Sequence, residues 1–200
     1  MPVHLPFAPT AIPIMIDRRV QKTLQALHEA LIALIQEKGF DAATVKDITA
    51  RANVGRSTFY AHYLDKESLL QGGLDDFGKI LLAKQREMLA TNRVPAGLAC
   101  SHAVFEHALG YRTVYRAMLG KNAGVIVADR LRKVLRVVIA ADLGARPPTE
   151  HGDDVPLAAR IEFLVGAIMS LLTWWVDAAE AYSVDDMDAI FRRLTAAAVT

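Results

Sequence analysis

Residues 44–70 read TVKDITARANVGRSTFYAHYLDKESLL, and this stretch decides the fold. Thr44, with Asp47 three residues on, is an N-cap with an acidic residue in the first turn, close to a capping box. Val45, Ile48 and Ala52 then fall on the inner side of a helix of about two turns. Asn53 interrupts it, because asparagine tolerates the left-handed conformation that a tight turn demands. A second short helix over 56–63 puts Phe59 and Tyr63 on one side. Asp65 caps the long helix that follows, whose apolar residues include Leu69, Leu70, Leu74, Phe77, Leu81 and Leu82. Two short helices joined by a tight turn predict a helix-turn-helix unit.

Working upstream, Val20, Leu24, Leu27, Leu31, Leu34 and Ile35 recur at steps of three and four, one face of a helix over 17–38. Gly39 ends it, with Lys38 in the last turn, and Phe40 folds back onto the core. Residues 1–16 carry Pro2, Pro6, Pro9 and Pro13 and lack both a basic n-region and an unbroken apolar stretch. They read as a flexible arm, or as the product of a misassigned start codon, rather than a signal peptide.

Downstream the spacing stays helical. Leu98 to Leu109 is one segment, ended by Gly110, and Tyr111 to Leu119 a second, ended by Gly120. Leu131, Val134, Leu135 and Val138 mark a third over 122–142. Gly144, Pro147, Pro148, Gly152 and Pro156 make 144–156 a loop. Helices over 157–181 and 185–195 close the chain. The run Ile161 to Val176 is shorter than the roughly 20 apolar residues of a membrane span, so it reads as a buried helix. The expected fold is all-α with about nine helices: an arm (1–16), a helix-turn-helix domain (17–65) and a helical bundle (66–200).

Composition agrees. The 200 residues are 52% hydrophobic and 22% charged, enough apolar content for a core. The net charge of +1 excludes a polybasic tail. Residues 1–70 hold eight basic and seven acidic side chains, and residues 71–200 fifteen of each. Any nucleic-acid contact would therefore rest on local placement of charges rather than on bulk charge. The single cysteine, Cys100, rules out an internal disulfide and a cysteine-based zinc site; it reads as a buried small residue in a reducing, cytoplasmic setting.

A helix-turn-helix places its second helix in the major groove and its first across the backbone. Arg56, Ser57 and Thr58 stand at the start of that second helix, where side chains reach base edges. Tyr60 and His62 lie away from Phe59 and Tyr63. Lys46 and Lys66 are positioned for phosphates, and Thr44 supplies a hydroxyl where helix amides attract an anion.

With these residues in place, 44–70 resembles the DNA-binding signature of the TetR family of transcriptional repressors, in T-F-Y-x-H-Y followed by D-K-E-x-L-L. The strong likeness covers about residues 17–75. LGKN (Leu119 to Asn122) and the Trp174–Trp175 pair resemble a C-terminal subgroup. The resemblance implies base or backbone contacts for Arg56, Ser57, Thr58, Tyr60 and His62, a contact for Lys46 at the start of the first helix, and a phosphate clamp for Lys66. Three positions depart from the family pattern: Gly55 stands for a serine N-cap, Asn53 for a turn glycine and Thr49 for an alanine.

The resemblance further implies a homodimer built on the last two long helices. Ile161, Leu164, Ile168, Leu172, Trp175 and Phe191 are the expected interface, with Gly166, Ala167 and Ser170 permitting close approach. It also implies a small-molecule pocket; its expected lining is His102, Phe105, Glu106, Tyr111, Tyr115, Met118, Met169 and Trp174, with His107 as a further polar group. No cofactor or metal is expected. Arg130, Arg132, Lys133 and Arg136 alternate with apolar positions and read as a solvated face.

These readings point to a ligand-responsive repressor that binds a palindromic DNA operator as a homodimer and is released by an effector of unknown identity. It would be a cytoplasmic, bacterial protein, associated with the nucleoid when bound to DNA and with no membrane partner. The alternative is a helical small-molecule-binding or adaptor protein on the same scaffold without operator binding. An enzyme is not expected, since GxSxG, P-loop, GxGxxG and HExxH motifs are absent from the sequence.

Overall fold

The computed structural model describes residues 18–90, 97–118, 122–145, 155–177 and 182–199. Nine helices and no strand occur among them. The predicted arm over 1–16, the loop over 146–154 and most of the LGKN run fall outside the described residues. The chain divides into two compact units between Lys66 and Glu67.

Unit 1 holds α1 (Arg18–Lys38), α2 (Val45–Ala52) and α3 (Arg56–Tyr60). α1 buries Leu27, Ala30, Leu31, Leu34 and Ile35, the second half of the predicted face. Gly39 ends the helix at φ 81°, a left-handed conformation that glycine adopts without strain, and its N–H donates to the carbonyl of Ile35. Phe40 is buried, as the fold-back requires. α1 packs on α2, and Arg51 of α2 holds both carboxylate oxygens of Glu37.

Unit 2 holds the remainder of α4 (Lys66–Ala90), then α5 (Ser101–Gly110), α6 (Arg112–Met118), α7 (Asn122–Gly144), α8 (Leu157–Asp177) and α9 (Val184–Val199). One continuous core joins Phe77 and Leu81 of α4 to Phe105, Leu135, Ile139, Leu164, Ile168, Trp175 and Phe191. α4 comes close to α7 at Gly78, where a Cβ atom would stand 2.8 Å from Cγ1 of Val134. Asp75 and Arg130 form a two-pronged ion pair on the same two helices. Within the basic run of α7, Lys133 pairs with Asp129 and Arg136 with Glu162. Cys100 is buried and its thiol is pushed up to about 12, mainly by loss of water.

α8 has 21 residues and, by length and composition, is apolar enough to cross a membrane. That corrects the shorter span read from the sequence. Here α8 packs against α5, α7 and α9, and Leu164, Val165, Ile168, Leu172, Trp175 and Val176 are buried in the unit.

Candidate nucleic-acid interface and effector site

α2 starts as the sequence predicts. The Thr44 hydroxyl accepts the Asp47 N–H at 3.2 Å, and Oδ2 of Asp47 accepts the Thr44 N–H at 3.0 Å, completing a capping box. Lys38 donates to the same Oδ2 at 2.7 Å. These donors, Lys38 first, hold the Asp47 carboxyl well below the usual carboxylate range. Asn53 closes α2 at φ 52° and ψ 45°, the left-handed turn expected of it. Thr49 is buried, and its hydroxyl donates to the carbonyls of Val45 and Lys46.

α3 spans Arg56–Tyr60, shorter than the predicted 56–63. Its end is tightened by Ala61 N–H bonding Ser57 and His62 N–H bonding Phe59. Phe59 is fully buried and meets the rings of Tyr60 and Tyr63. Tyr63 in turn lies 3.2 Å from Nε2 of His28 on α1. This arrangement leaves Arg56, Ser57, Thr58, Tyr60 and His62 on the exposed side, together with Lys46 on α2. An open hollow lies between the two helices, lined by Lys46, Thr49, Ala50, Asn53, Val54, Gly55 and Arg56. Thr49, Ala50 and Val54 were not among the predicted site residues; the turn at Asn53 was the only signal that could have drawn them in.

Two expected contacts are committed elsewhere. The Thr44 hydroxyl is engaged by Asp47. The Lys66 ammonium donates to the carbonyls of Phe40, Asp41 and Ala43 at 2.9, 3.1 and 3.0 Å.

In unit 2 the expected pocket residues scatter. Phe105 is fully buried, edge-on to Trp175 and Phe191, and belongs to the core. Met169 packs against that core. Glu106 is exposed, and His102 bonds Asp185 of α9 at 3.0 Å. Trp174 is 48% exposed and tilts against Tyr182. The side chain of Met118 lies outside the described residues. What does come together is an aromatic set. His107 stacks flat on Phe77, with centroids 3.8 Å apart, and faces Tyr111 at 4.6 Å and Tyr115 at 6.4 Å. Burial lowers the His107 pKa to about 4 and raises that of Tyr115, so both are uncharged at neutral pH.

The expected interface list is corrected by burial. Leu164, Ile168, Leu172, Trp175 and Phe191 are each at most 5% exposed within one protomer, and Ile161 packs on the same core. The Trp175 indole N–H donates to the Tyr182 carbonyl at 2.9 Å. The outward row of α8 is instead Phe163, Gly166, Ser170 and Trp174.

Comparison with known proteins addresses the helix-turn-helix directly. Residues 27–72 match the family model "Bacterial regulatory proteins, tetR family". The helix-turn-helix segment of this chain is thus similar to that of the TetR family. The HTH-type transcriptional regulator YxbF of Bacillus subtilis (strain 168) is 47% identical over 57 residues, which are 28% of this chain and 15% of that protein. Two solved structures extend the likeness of fold through unit 2. The TetR transcriptional regulator from Streptococcus agalactiae 2603V has a TM-score of 0.61 and 27% identity, covering 89% of this chain and 96% of that one. RolR in complex with resorcinol has a TM-score of 0.57 and 22% identity, covering 90% and 88%. The matched family is one of bacterial regulatory proteins, and the Bacillus relative is an HTH-type transcriptional regulator.

Proposed function

We propose that this chain is a TetR-family regulator, a cytoplasmic repressor that binds a palindromic operator as a homodimer and releases it on binding a small molecule. The observation that carries the reading is the division of labour in α3. Phe59 alone enters the core, while Arg56, Ser57, Thr58 and Tyr60, with His62 just beyond the helix, are left outward beside Lys46. Guanidinium, hydroxyl, phenol and imidazole groups supply the donors and acceptors that read base edges and phosphates.

The dimer contact proposed here is the outward face of α8 and α9. Phe163 and Trp174 are 56% and 48% exposed on α8, and Leu194 is 68% exposed on α9. A Cβ at Gly166 would meet nothing within 4 Å in its own protomer, so a second helix has room to approach. The effector site proposed is the aromatic set of Phe77, His107, Tyr111 and Tyr115, which suits an uncharged aromatic molecule. RolR, of related fold, binds resorcinol.

Selecting bound duplexes from a random DNA pool tests the reading, with Arg56→Ala and Tyr60→Ala as controls. A palindrome enriched by the wild type and absent from both variants is the expected result. No enrichment at low salt, with and without a mixture of phenols, would leave the adaptor alternative.

A further inference from the structure

Lys66 opens α4, yet its ammonium turns back into unit 1. An ammonium has three hydrogens, and here each has a carbonyl: Phe40 at 2.9 Å, Asp41 at 3.1 Å and Ala43 at 3.0 Å. The same nitrogen sits 4.6 Å from the centre of the Phe40 ring, in cation–π contact. Phe40 and Ala43 are buried, so two of the three carbonyls belong to residues whose access to water is limited. All three lie in the corner between Lys38, the last residue of α1, and Thr44, the N-cap of α2. Carbonyls beyond a helix end are the groups that a cation satisfies best.

Within the corner, Ala43 N–H bonds the Phe40 carbonyl and Gly39 is in the left-handed conformation. Thr44 then commits α2 to its direction through the capping box. Lys46, the expected first-helix contact, follows two residues later. A small rotation at residues 40–43 would therefore swing α2 and the helix turned from it at Asn53.

We infer that Lys66 is a positioning residue: it fixes the α1–α2 corner through three carbonyls and so sets how Lys46 and α3 meet DNA, rather than pairing with a phosphate itself. This rests on the operator-binding reading above for its DNA arm, and stands apart from it in its exchange arm. A phosphate partner would have to take a hydrogen from one of the three carbonyls. Arginine cannot replace this lysine, because its planar fork does not converge on three acceptors around one point.

The test compares the full-length wild type with Lys66→Met, Lys66→Arg and Lys46→Ala. The first readout needs no DNA: amide hydrogen exchange at Ala43, Asp47 and Ile48. Faster exchange at these amides in Lys66→Met and in Lys66→Arg, with helical circular dichroism retained, is expected. Unchanged exchange in both overturns the inference, whatever becomes of DNA binding.

The second readout is affinity for the selected duplex against salt. Removing one cation that pairs with a phosphate lowers the slope of log affinity on log salt by about 0.9. Lys46→Ala should show that drop. Lys66→Met and Lys66→Arg should each lose about tenfold or more in affinity, as when a set of charged hydrogen bonds is removed, with the wild-type slope intact. A lowered slope in Lys66→Met with full rescue by Lys66→Arg would make Lys66 a phosphate partner and overturn the inference. Should Lys66→Met fail to fold, Lys66→Arg decides alone, since a clamp keeps its affinity and a positioning residue does not.

Discussion

Oδ2 of Asp47 receives the Lys38 ammonium at 2.7 Å while it also closes the Thr44 cap, so one carboxylate ties the end of α1 to the start of α2. Thr44→Ala should destabilise the protein by about 1 kcal/mol, the usual loss for an N-cap hydroxyl. Urea denaturation measures it. Thr44→Ser should recover most of the loss, and a Thr44→Ala protein as stable as the wild type would show that the cap does not set the start of α2.

On α3, neighbouring residues should separate cleanly into readers and core. Arg56→Ala and Tyr60→Ala should weaken operator binding by about 1–3 kcal/mol, the range of a good base contact, with the melting temperature unchanged. Phe59→Ala should instead cost about 3–5 kcal/mol of stability, as for a buried phenylalanine. Paired melting and fluorescence-anisotropy measurements distinguish the two classes.

At Gly78, α4 lies close against Val134 of α7. Gly78→Ala puts a methyl 2.8 Å from a stiff, buried valine. Overpacking of this kind costs about 1–3 kcal/mol, more than the helix propensity that alanine gains over glycine. Gly78→Ala combined with Val134→Ala should recover part of the loss in a double-mutant cycle.

The outward and inward rows of α8 should respond differently to charge. Phe163→Glu is expected to give a folded monomer in light scattering at micromolar concentration. Ile168→Glu, at a fully buried site, is expected to unfold unit 2. A Phe163→Glu protein that remains dimeric would move the interface off this face.

His107 predicts a pH dependence. Burial holds its folded pKa at about 4, against an ordinary value of 6.5. Between these values the unfolded chain takes up a proton that the folded chain refuses. Stability from this group is therefore complete above pH 6.5 and is lost as pH falls toward 4, below which the loss levels off. His107→Phe keeps a ring to stack on Phe77 and removes the proton. The variant should gain stability relative to wild type as pH is lowered from 6.5 to 4, read by denaturation midpoints.

Much of this was legible from residues 44–70 because the decisive signals are local. Thr44 and Asp47 cap within one turn, and Asn53 needs only its own backbone preference. The sides of α3 follow from the step between Phe59 and Tyr63. The aromatic set and the outward row of α8 were not legible, for a different reason. α8 is apolar on both sides: Phe163 and Trp174 differ from Leu164 and Trp175 only in which neighbours surround them. Choosing the buried side requires knowing where α5, α7 and α9 lie. The carbonyl bonds of Lys66 were not legible for the same reason, since the three acceptors stand 23 to 26 residues earlier in the chain.

α3 enters the core through a single ring. Of its five residues only Phe59 is buried, and the helix is too short to persist without that anchor. Arg56, Ser57 and Thr58 can therefore be exchanged without repacking any interior side chain, and Tyr60 gives up only its edge-on contact with Phe59. A duplicated copy of the gene would be free to drift toward a new target sequence one surface residue at a time, each intermediate still folded, with the scaffold contributing stability and leaving the address blank.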